Sequence, residues 1–380
     1  FIEIFLEKRI WKFMINIFAA FTIFYVINGL FYLFAVINLL FKQQTHDNTM
    51  ALSNPFVSVI IPARNEAETI KKCIDCLRAQ EYPQDLYEII PVNDASNDDT
   101  AEIINAIAEI DNKVRPVHIT SPNRENRGKI NAIDQGILQA KGDIIITTDA
   151  DIWMGNNWIV RMVQNFDEKT GVMIGVTLDE ISKHPVHAFQ ALDGVCIRVI
   201  ASALAEINKP ITCQGSNLAF RKKAYMEVRE RVLSLGAVCG NREWLMQEID
   251  LATDWKIKTQ MHPDSIAHTH SPNSWKALIN QRSRWASTGK NYSKLSVRLY
   301  LICIYFSLLA FIAGPFFLDI ETSSILWGLK FLIDFPVAIA VVKAVRQPHF
   351  LVAFPIVFIL QPLMVVITAF LGTFGLYRWK

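Results

Sequence analysis

Two aspartates two positions apart close an apolar run in the stretch DIIITTDAD, residues 143–151. Carboxylates at the end of a buried strand are costly unless something binds them, so the partner of Asp149 and Asp151 is the first question. Residues two apart in an extended segment project to the same side, which lets both acids reach one site. A hard divalent cation, Mg2+ or Mn2+, takes carboxylate oxygens and bridges phosphate oxygens. The pair is therefore expected to hold a metal, and the metal a diphosphate. Other phosphate-binding devices are missing: neither GxGxxG nor GxxxxGK[ST] occurs, which disfavours a dinucleotide dehydrogenase or a P-loop kinase.

Polar residues also gather at two other strand ends, in PARNEAETI (62–70) and NDASNDDT (93–100). Asn93, Asp94 and Asp98 lie in a turn of Asn, Asp and Ser, where capping by Asn97 or Asp98 is ordinary loop chemistry. Capping accounts fully for Asp98. It accounts less well for Asp94, which falls at the strand end facing the expected crevice. Cys73 and Cys76 form a lone CxxC with no second pair or His cluster to complete a zinc site, so packing on a helix is the expected role. The six cysteines read as reduced thiols of a cytosolic domain.

The elements that must position these residues follow from hydrophobic pattern. Runs at 56–62, 87–94, 114–120, 143–149 and 171–177 read as strands, and 66–80, 98–110, 128–140 and 156–167 as helices between them. Such alternation predicts βαβ units around a mostly parallel sheet, with ligands bound beyond the carboxyl ends of the strands. The fold class is α/β.

With 51% hydrophobic residues and a mean hydropathy of +0.23 over 380 residues, part of the chain is expected in a bilayer. Phe13 to Phe41 carries no charge, exceeds the length of about 20 residues that a spanning helix needs, and is too long for a signal-peptide core. Leu299–Leu318, Thr322–Val342 and Phe350–Tyr377 are three further apolar stretches; the second holds Lys330 and Asp334, four apart and able to pair within a bundle, or else is a short or re-entrant helix. These divide the chain into an N-terminal membrane anchor (1–42), a domain (43–296) and a C-terminal bundle of about three helices (297–380). Lys343 and Arg346 in one short loop, against Asp319 and Glu321 in another, place the domain in the cytoplasm, with Arg378 and Lys380 then outside. The chain begins with Phe, so residues before it are expected. The net charge of +2 is spread along the chain, and no nucleic-acid partner is expected.

The ordered set SVIIPARNEA, VNDASNDDT, GKINAIDQG, TTDAD, CQGSNLAFRKKAY, QEIDLATDW and QRSRW resembles glycosyltransferase family 2, in its membrane-bound branch with the polysaccharide synthases (cellulose, chitin and hyaluronan synthases). The resemblance covers about residues 55–290, and the pairing of DxD with a later QxxRW is its specific part. It implies a GT-A type nucleotide-diphospho-sugar transferase domain flanked by transmembrane helices. It further implies that Pro62, Ala63, Asn65 and Glu66 line the nucleotide pocket, Asp94 contacts uracil, Lys129 lies beside the nucleotide, and Asp149 and Asp151 hold the donor sugar and metal. Asp134 stands where the family usually has Asn. Inverting transfer also needs a carboxylate base for the acceptor hydroxyl. Matching MQEIDL to the family's Glu-Asp pair puts Gln247 at the Glu and Glu248 at the catalytic Asp, with Asp250 a rival base; either acid would otherwise solvate its helix. Gln281, Arg284 and Trp285 share a helix face, the Arg suited to diphosphate and the Trp to a sugar ring, although Trp and Arg near a membrane also serve as interface anchors. Gly215 and Asn217 match the acceptor-side segment. His268 and His270 are either close to the metal or structural.

The implied activity is inverting, metal-dependent transfer of a sugar from a UDP-sugar to a polysaccharide or lipid-linked acceptor at the lipid bilayer. One alternative is a non-processive transferase adding a single sugar to a lipid carrier: QxxRW leans towards polymerisation, whereas four spans are few for a polymer channel. Another is a transporter or receptor with a nucleotide-sensing domain, which would have no use for a base or a Trp platform.

Overall fold

The computed structural model describes residues 2–46, 54–120, 128–182, 184–234, 243–289, 292 and 294–378. A long helix, α1 (Ile2–His46), precedes the sheet-forming part of the chain. There β1 (Val57–Ala63), α2 (Ile70–Arg78), β2 (Tyr87–Asn93), α3 (Thr100–Ile110), β3 (Val117–His118), α4 (Gly128–Gln139) and β4 (Ile144–Thr147) alternate as the hydrophobic pattern requires. Every residue of β1, β2 and β4 is buried, which is why they read as unbroken apolar runs. On α2, Ile70, Cys73, Ile74 and Leu77 are buried, the spacing of one helix face against the sheet. Gly136 lets α4 lie close to β1 and β2: a Cβ there would stand 2.7 Å from Ile60 Cγ2.

The second half departs from simple alternation. It runs β5 (Trp153–Met154), α5 (Trp158–Val163), β6 (Thr170–Ile174), β7 (Thr177–Asp179), α6 (Pro185–Glu206), β8 (Leu218–Arg221), α7 (Lys222–Ser234), α8 (Glu243–Ala252), β9 (Lys256–Thr259), β10 (Ala267–Thr269) and α9 (Trp275–Ala286). Seven strands form the main sheet in the order β3-β2-β1-β4-β8-β6-β9. β8 is inserted antiparallel to both β4 and β6, while the remaining pairs are parallel. A small second sheet, β5-β10-β7, lies apart from it. The fold is thus α/β with a mixed, mostly parallel sheet. The expected strand at 114–120 shortens to two residues plus a bridge between Ile89 and Val114.

The chain closes with α10 (Leu295–Phe317), α11 (Ile320–Ala344) and α12 (Phe354–Thr373). Among the described residues five helices are long and apolar enough to cross a membrane: the four expected and α6, whose apolar window is 78% buried within the protein. One core joins Ala35, Val36 and Leu39 of α1, Leu192, Val195 and Val199 of α6, and Val337, Val341 and Val342 of α11, so packing is continuous between the sheet-bearing part and the apolar helices. Lys330 pairs with Asp334, as their spacing suggests, and Tyr25 donates to Asp334 at 2.8 Å.

The far end of α12 differs from expectation. The sequence put Arg378 across the membrane from the domain, but its backbone N–H and C=O both bond the Asn280 side chain on α9 at 2.6 Å. Gly372 makes the approach feasible, since a Cβ there would lie 2.4 Å from the Ser283 carbonyl oxygen. A backbone atom cannot swing aside, so α12 and α9 stay in register only with glycine at that position.

Candidate active site

Register brings the expected nucleotide residues to one edge of the sheet. Pro62 and Ala63 pair with Val92 and Asn93, and Ile60 pairs with Thr147, so Asp94 and Asp149 follow on either side of the end of β1. The loops after β1 and β2 are laced together. Asp94 N–H donates to the Ala63 carbonyl (2.8 Å), Asn65 N–H to Ser96 Oγ (3.0 Å), Asn97 N–H to Asn65 Oδ1 (2.8 Å), Glu66 N–H to Thr100 Oγ1 (2.9 Å) and Ala67 N–H to Asp98 Oδ2 (3.1 Å). Asn65 takes a positive φ of 56° and Ala95 one of 45°, the sharp turns needed to aim these backbones over the strand ends. The Thr100 hydroxyl and the loop N–H groups hold the Asp98 carboxyl below its usual range; it braces the loop through Ala67 and Thr100, while the N-cap position of α3 falls on Asp99 and not on Asn97 or Asp98. Asp94 is 7% exposed.

Asp149 and Asp151 do not continue β4 as an extended segment. Ile152 N–H donates to the Asp149 carbonyl at 3.2 Å, closing a turn with Ala150 and Ile152 buried. The two acids therefore do not share a side through strand alternation: a strand cannot run on into solvent without partners for its backbone, so β4 ends at Thr147 and the chain turns. Cys73 anchors it from α2, its Sγ 3.5 Å from the Asp149 carbonyl. Burial pushes the Cys73 thiol well up, and Cys76 and the carboxylates of Asp151 and Asp149 add to the effect. Lys129 Nζ is 2.8 Å from Asp149 Oδ1, which brings the GK segment to the acids.

Among the described residues no group of three or more His, Cys, Asp or Glu side chains is placed to hold a metal ion. Two carboxylates, half-exposed Asp149 and exposed Asp151, fit Mg2+ or Mn2+, hard cations commonly held by one or two carboxylates plus substrate phosphates and water. Strand β5 follows two residues after Asp151 and pairs with β10, Trp153 opposite His268. Trp153 stacks on His268 at 6.1 Å between centroids, tilts against His270 at 4.6 Å, and carries Lys72 Nζ 3.8 Å from its centroid. Burial pulls the His268 imidazole below its usual range, and His270 Nδ1 is 2.9 Å from Glu180.

On the other side, Gly215 joins the DxD strand: Thr147 Oγ1 donates to its carbonyl at 3.1 Å. Asn217 is wholly buried. Its Oδ1 accepts from Trp158 Nε1 at 3.2 Å and its Nδ2 donates to the carbonyls of Val176 and Ser265, both at 2.9 Å. Its side chain therefore holds the turn at 215–217 and the small sheet together. Asp134 is a clamp between α4 and α7: it accepts from Tyr225 Oη (2.7 Å) and two nitrogens of Arg229 (2.6 and 2.9 Å).

Helix α8 carries the two candidate bases. Glu248 is 2% exposed and pairs with Arg231 of α7 at 2.8 Å. Asp250 pairs with Lys294, at the entrance of α10. Gln247 Nε2 donates to the Ile211 carbonyl at 2.8 Å, tying α8 to the segment that leads into Gly215.

Helix α9 starts on the Ser274 cap, whose Oγ accepts from Ala277 N–H at 3.2 Å. Gln281, Arg284 and Trp285 share its less buried side, with Leu278, Arg282 and Ser283 beneath. Gln281 Oε1 is shielded and has no hydrogen-bond partner among the described residues. Sequence reasoning missed Arg282. It pairs with Asp193 of α6 at 2.7 Å, donates to Gln190 Oε1 at 2.7 Å, and lies 5.1 Å from the Trp285 ring centroid. Gln190 in turn donates to Asp179 of β7 at 3.1 Å, and Asp179 pairs with Arg198. These five side chains are all buried. A basic residue inside QRSRW was the available signal, but its acid lies 89 positions away in sequence.

Residues 58–229 match the family model for Glycosyl transferase family 2. These residues are similar to a family 2 glycosyltransferase domain, on a fold of the GT-A type. A probable glycosyltransferase, YdaM of Bacillus subtilis (strain 168), is 30% identical over 242 residues, 61% of this chain and 54% of that protein. The poly-beta-1,6-N-acetyl-D-glucosamine synthase of Staphylococcus aureus (strain COL) is 28% identical over 244 residues, again 61% and 54%. The chain spans about half the length of the curated relatives it matches. The solved mannosyltransferase PcManGT from Pyrobaculum calidifontis, in complex with GDP-Man and Mn2+, shares the fold with a TM-score of 0.61 at 19% identity, over 90% of this chain and 98% of that one.

Proposed function

We propose that this protein is an inverting, divalent-metal-dependent glycosyltransferase that moves a sugar from a UDP-sugar to a polysaccharide or lipid-linked acceptor at a membrane. The catalytic domain, residues 43–296, would face the cytoplasm between the anchor and the C-terminal bundle. The observation that carries the reading is the meeting of Lys129 with Asp149 at the sheet edge, beside the laced loops of Asn65 and Asp94. The polymer-forming relative supports a polysaccharide acceptor, and the metal-bound mannosyltransferase supports a cation at Asp149 and Asp151.

Bound there, Mg2+ or Mn2+ would neutralise the diphosphate leaving group. Half-exposed ion pairs such as Lys129–Asp149 contribute about 0–1 kcal/mol, so Lys129 can exchange Asp149 for a phosphate oxygen at little loss. Pro62, Ala63, Asn65 and Glu66 form the wall for the base and ribose, with Asp94 accepting from the uracil. Glu248, 2.8 Å from Arg231, accepts the acceptor hydroxyl's proton as the general base. Asp250, engaged by Lys294 at the helix entrance, is the rival. Arg284 grips the diphosphate, Trp285 offers its face to a sugar, and Gln281 Oε1 and the Gly215 backbone receive acceptor hydroxyls.

The test is to incubate the purified chain with a panel of UDP-sugars and Mg2+ or Mn2+, measure UDP release and size the product. A lengthening polymer with one sugar is expected. No UDP release with any donor would overturn the reading, and a product grown by a single sugar would replace polymerisation with single addition.

A further inference from the structure

Helix α12 carries no charge over its 20 residues, and its length suits a span: such a helix is about 30 Å long and the hydrocarbon core of a bilayer is about 30 Å thick. A helix that crosses takes its two ends to opposite faces. Both ends of α12 rest on the sheet-bearing part of the chain. At its start, Ala353 and Phe354 share a core with Leu204 of α6 and with Met261 and Ile266. Halfway along, Met364 packs with Val186 and Phe189 of α6 and Leu278 of α9. At its far end, Gly372 lies against the Ser283 carbonyl, the Tyr377 and Ser287 hydroxyls are 3.1 Å apart, and the Asn280 side chain holds the Arg378 backbone. Helix α6 cannot carry α12 across, because strands hold it near both ends: Glu206 accepts from Thr259 N–H of β9 at 3.1 Å, and Gln190 donates to Asp179 of β7 at 3.1 Å.

The two preceding helices differ. α10 starts at the domain, where Lys294 pairs with Asp250, and α11 ends there, where Val341 and Val342 join the core of α6. Between them lies a tip with Asp319 and Glu321 and no basic residue. Charge gives a second, independent observation. With the end of α12 on the domain's side, Lys343, Arg346 and Arg378 fall on one side and Asp319 and Glu321 on the other, the asymmetry that short loops of membrane proteins show. A crossing α12 would put Arg378 with the acids.

We propose that α10 and α11 cross the bilayer as a hairpin and that α12 does not cross: it stays docked on the domain and turns its exposed stripe, Ile359, Leu363, Ile367, Phe370 and Phe374, to the acyl chains of the leaflet on the domain's side. Intervals of three and four residues put these side chains on one helix face. Val365 and Val366 pack α12 beside Leu308 and Phe311 of α10, and Ile302 and Phe306 of α10 are exposed as well. Lipid that solvates α10 therefore covers the stripe too. The proposal rests on the reading of α10 and α11 as spans and does not involve the transfer site.

Sealed vesicles of one orientation, holding the full chain with one added cysteine, test it. A membrane-impermeant maleimide is applied from outside and, in a second sample, after permeabilisation, and labelling is scored above that of the native chain. The added cysteines fall at exposed positions: Glu109→Cys on α3, Ile320→Cys at the tip and Arg378→Cys, whose backbone contact with Asn280 the substitution leaves in place. Arg378→Cys is expected to react from the same side as Glu109→Cys, and Ile320→Cys from the other. Reaction of Arg378→Cys from the side of Ile320→Cys would overturn the proposal, as would reaction of all three from one side, which removes the crossing hairpin. The stripe is tested by placing the photocross-linking residue benzoylphenylalanine at Phe370, with Phe306 of α10 as the reference. Phospholipid adducts are expected at both; an adduct at Phe306 without one at Phe370 would overturn lipid as what covers α12.

Discussion

The proposed nucleotide side and the proposed acceptor side of this site are built from different materials. Around the ends of β1 and β2, neighbouring loops brace each other through backbone N–H groups: Asn65 on Ser96, Asn97 on Asn65, Ala67 on Asp98. The partners sit about 30 positions apart, within one βαβ unit, and the wall follows from parallel pairing alone. Helices α8 and α9 depend instead on side-chain ion pairs across elements, Glu248–Arg231 and Arg282–Asp193. Hydrogen-bonded loops at a sheet edge tolerate exchange of side chains that point outward. The Arg282–Asp193 pair, buried on both sides, does not, because removing one partner strands a charge.

The contrast can be broken most severely at the carboxylates proposed to hold the metal. Asp151→Ala should reduce transfer to background with the fold retained, and excess EDTA should do the same to the native chain; full activity in EDTA would remove the metal from the account. Next comes the buried pair. Arg282→Met should destabilise the chain by about 3–5 kcal/mol by leaving Asp193 uncompensated, read as a lower denaturation midpoint, and adding Asp193→Leu should recover most of it. If the single substitution is neutral, the acceptor side is not held by this pair.

Glu248→Gln should lower turnover roughly 10²-fold, the scale of general-base catalysis, with UDP affinity unchanged. Should Asp250→Asn give that pattern and Glu248→Gln not, the base is Asp250. The neighbours on α9 should separate in turn: Arg284→Ala weakens UDP binding, whereas Trp285→Ala shortens the product and leaves UDP binding intact. Equal loss of UDP binding in both would make α9 a structural helix. The smallest effect is expected in the braced loops. Ser96→Ala removes one hydrogen bond, about 1 kcal/mol, and should weaken UDP binding roughly fivefold; no change would show that the Asn65 turn holds without it.

What could be read from the sequence follows the same division. β1, β2 and β4 are buried on both faces and announce themselves as apolar runs; Asp94 and Asp149 follow from where those runs stop. β5, β7 and β10 are two or three residues long, below any periodic signal. β8 lies in the segment QGSNLAF, where no pattern tells that it inserts antiparallel between β4 and β6. Helix α6 shows only a weak stripe because its buried face includes Gln190, Asp193 and Arg198, polar residues that pair with β7 and α9. Asn217 looked like an acceptor ligand because it stands in a recognisable segment, and only the three-dimensional partners reveal its side chain holding the small sheet.

Calorimetry of UDP binding in Mg2+ or Mn2+ tests the two-sided site most directly. The account predicts that Asp149→Ala abolishes metal-dependent binding, while Glu248→Gln and Trp285→Ala bind UDP as the native chain does and fail only in transfer. Metal-dependent UDP binding that survives Asp149→Ala, or that is lost in all three variants together, would contradict it.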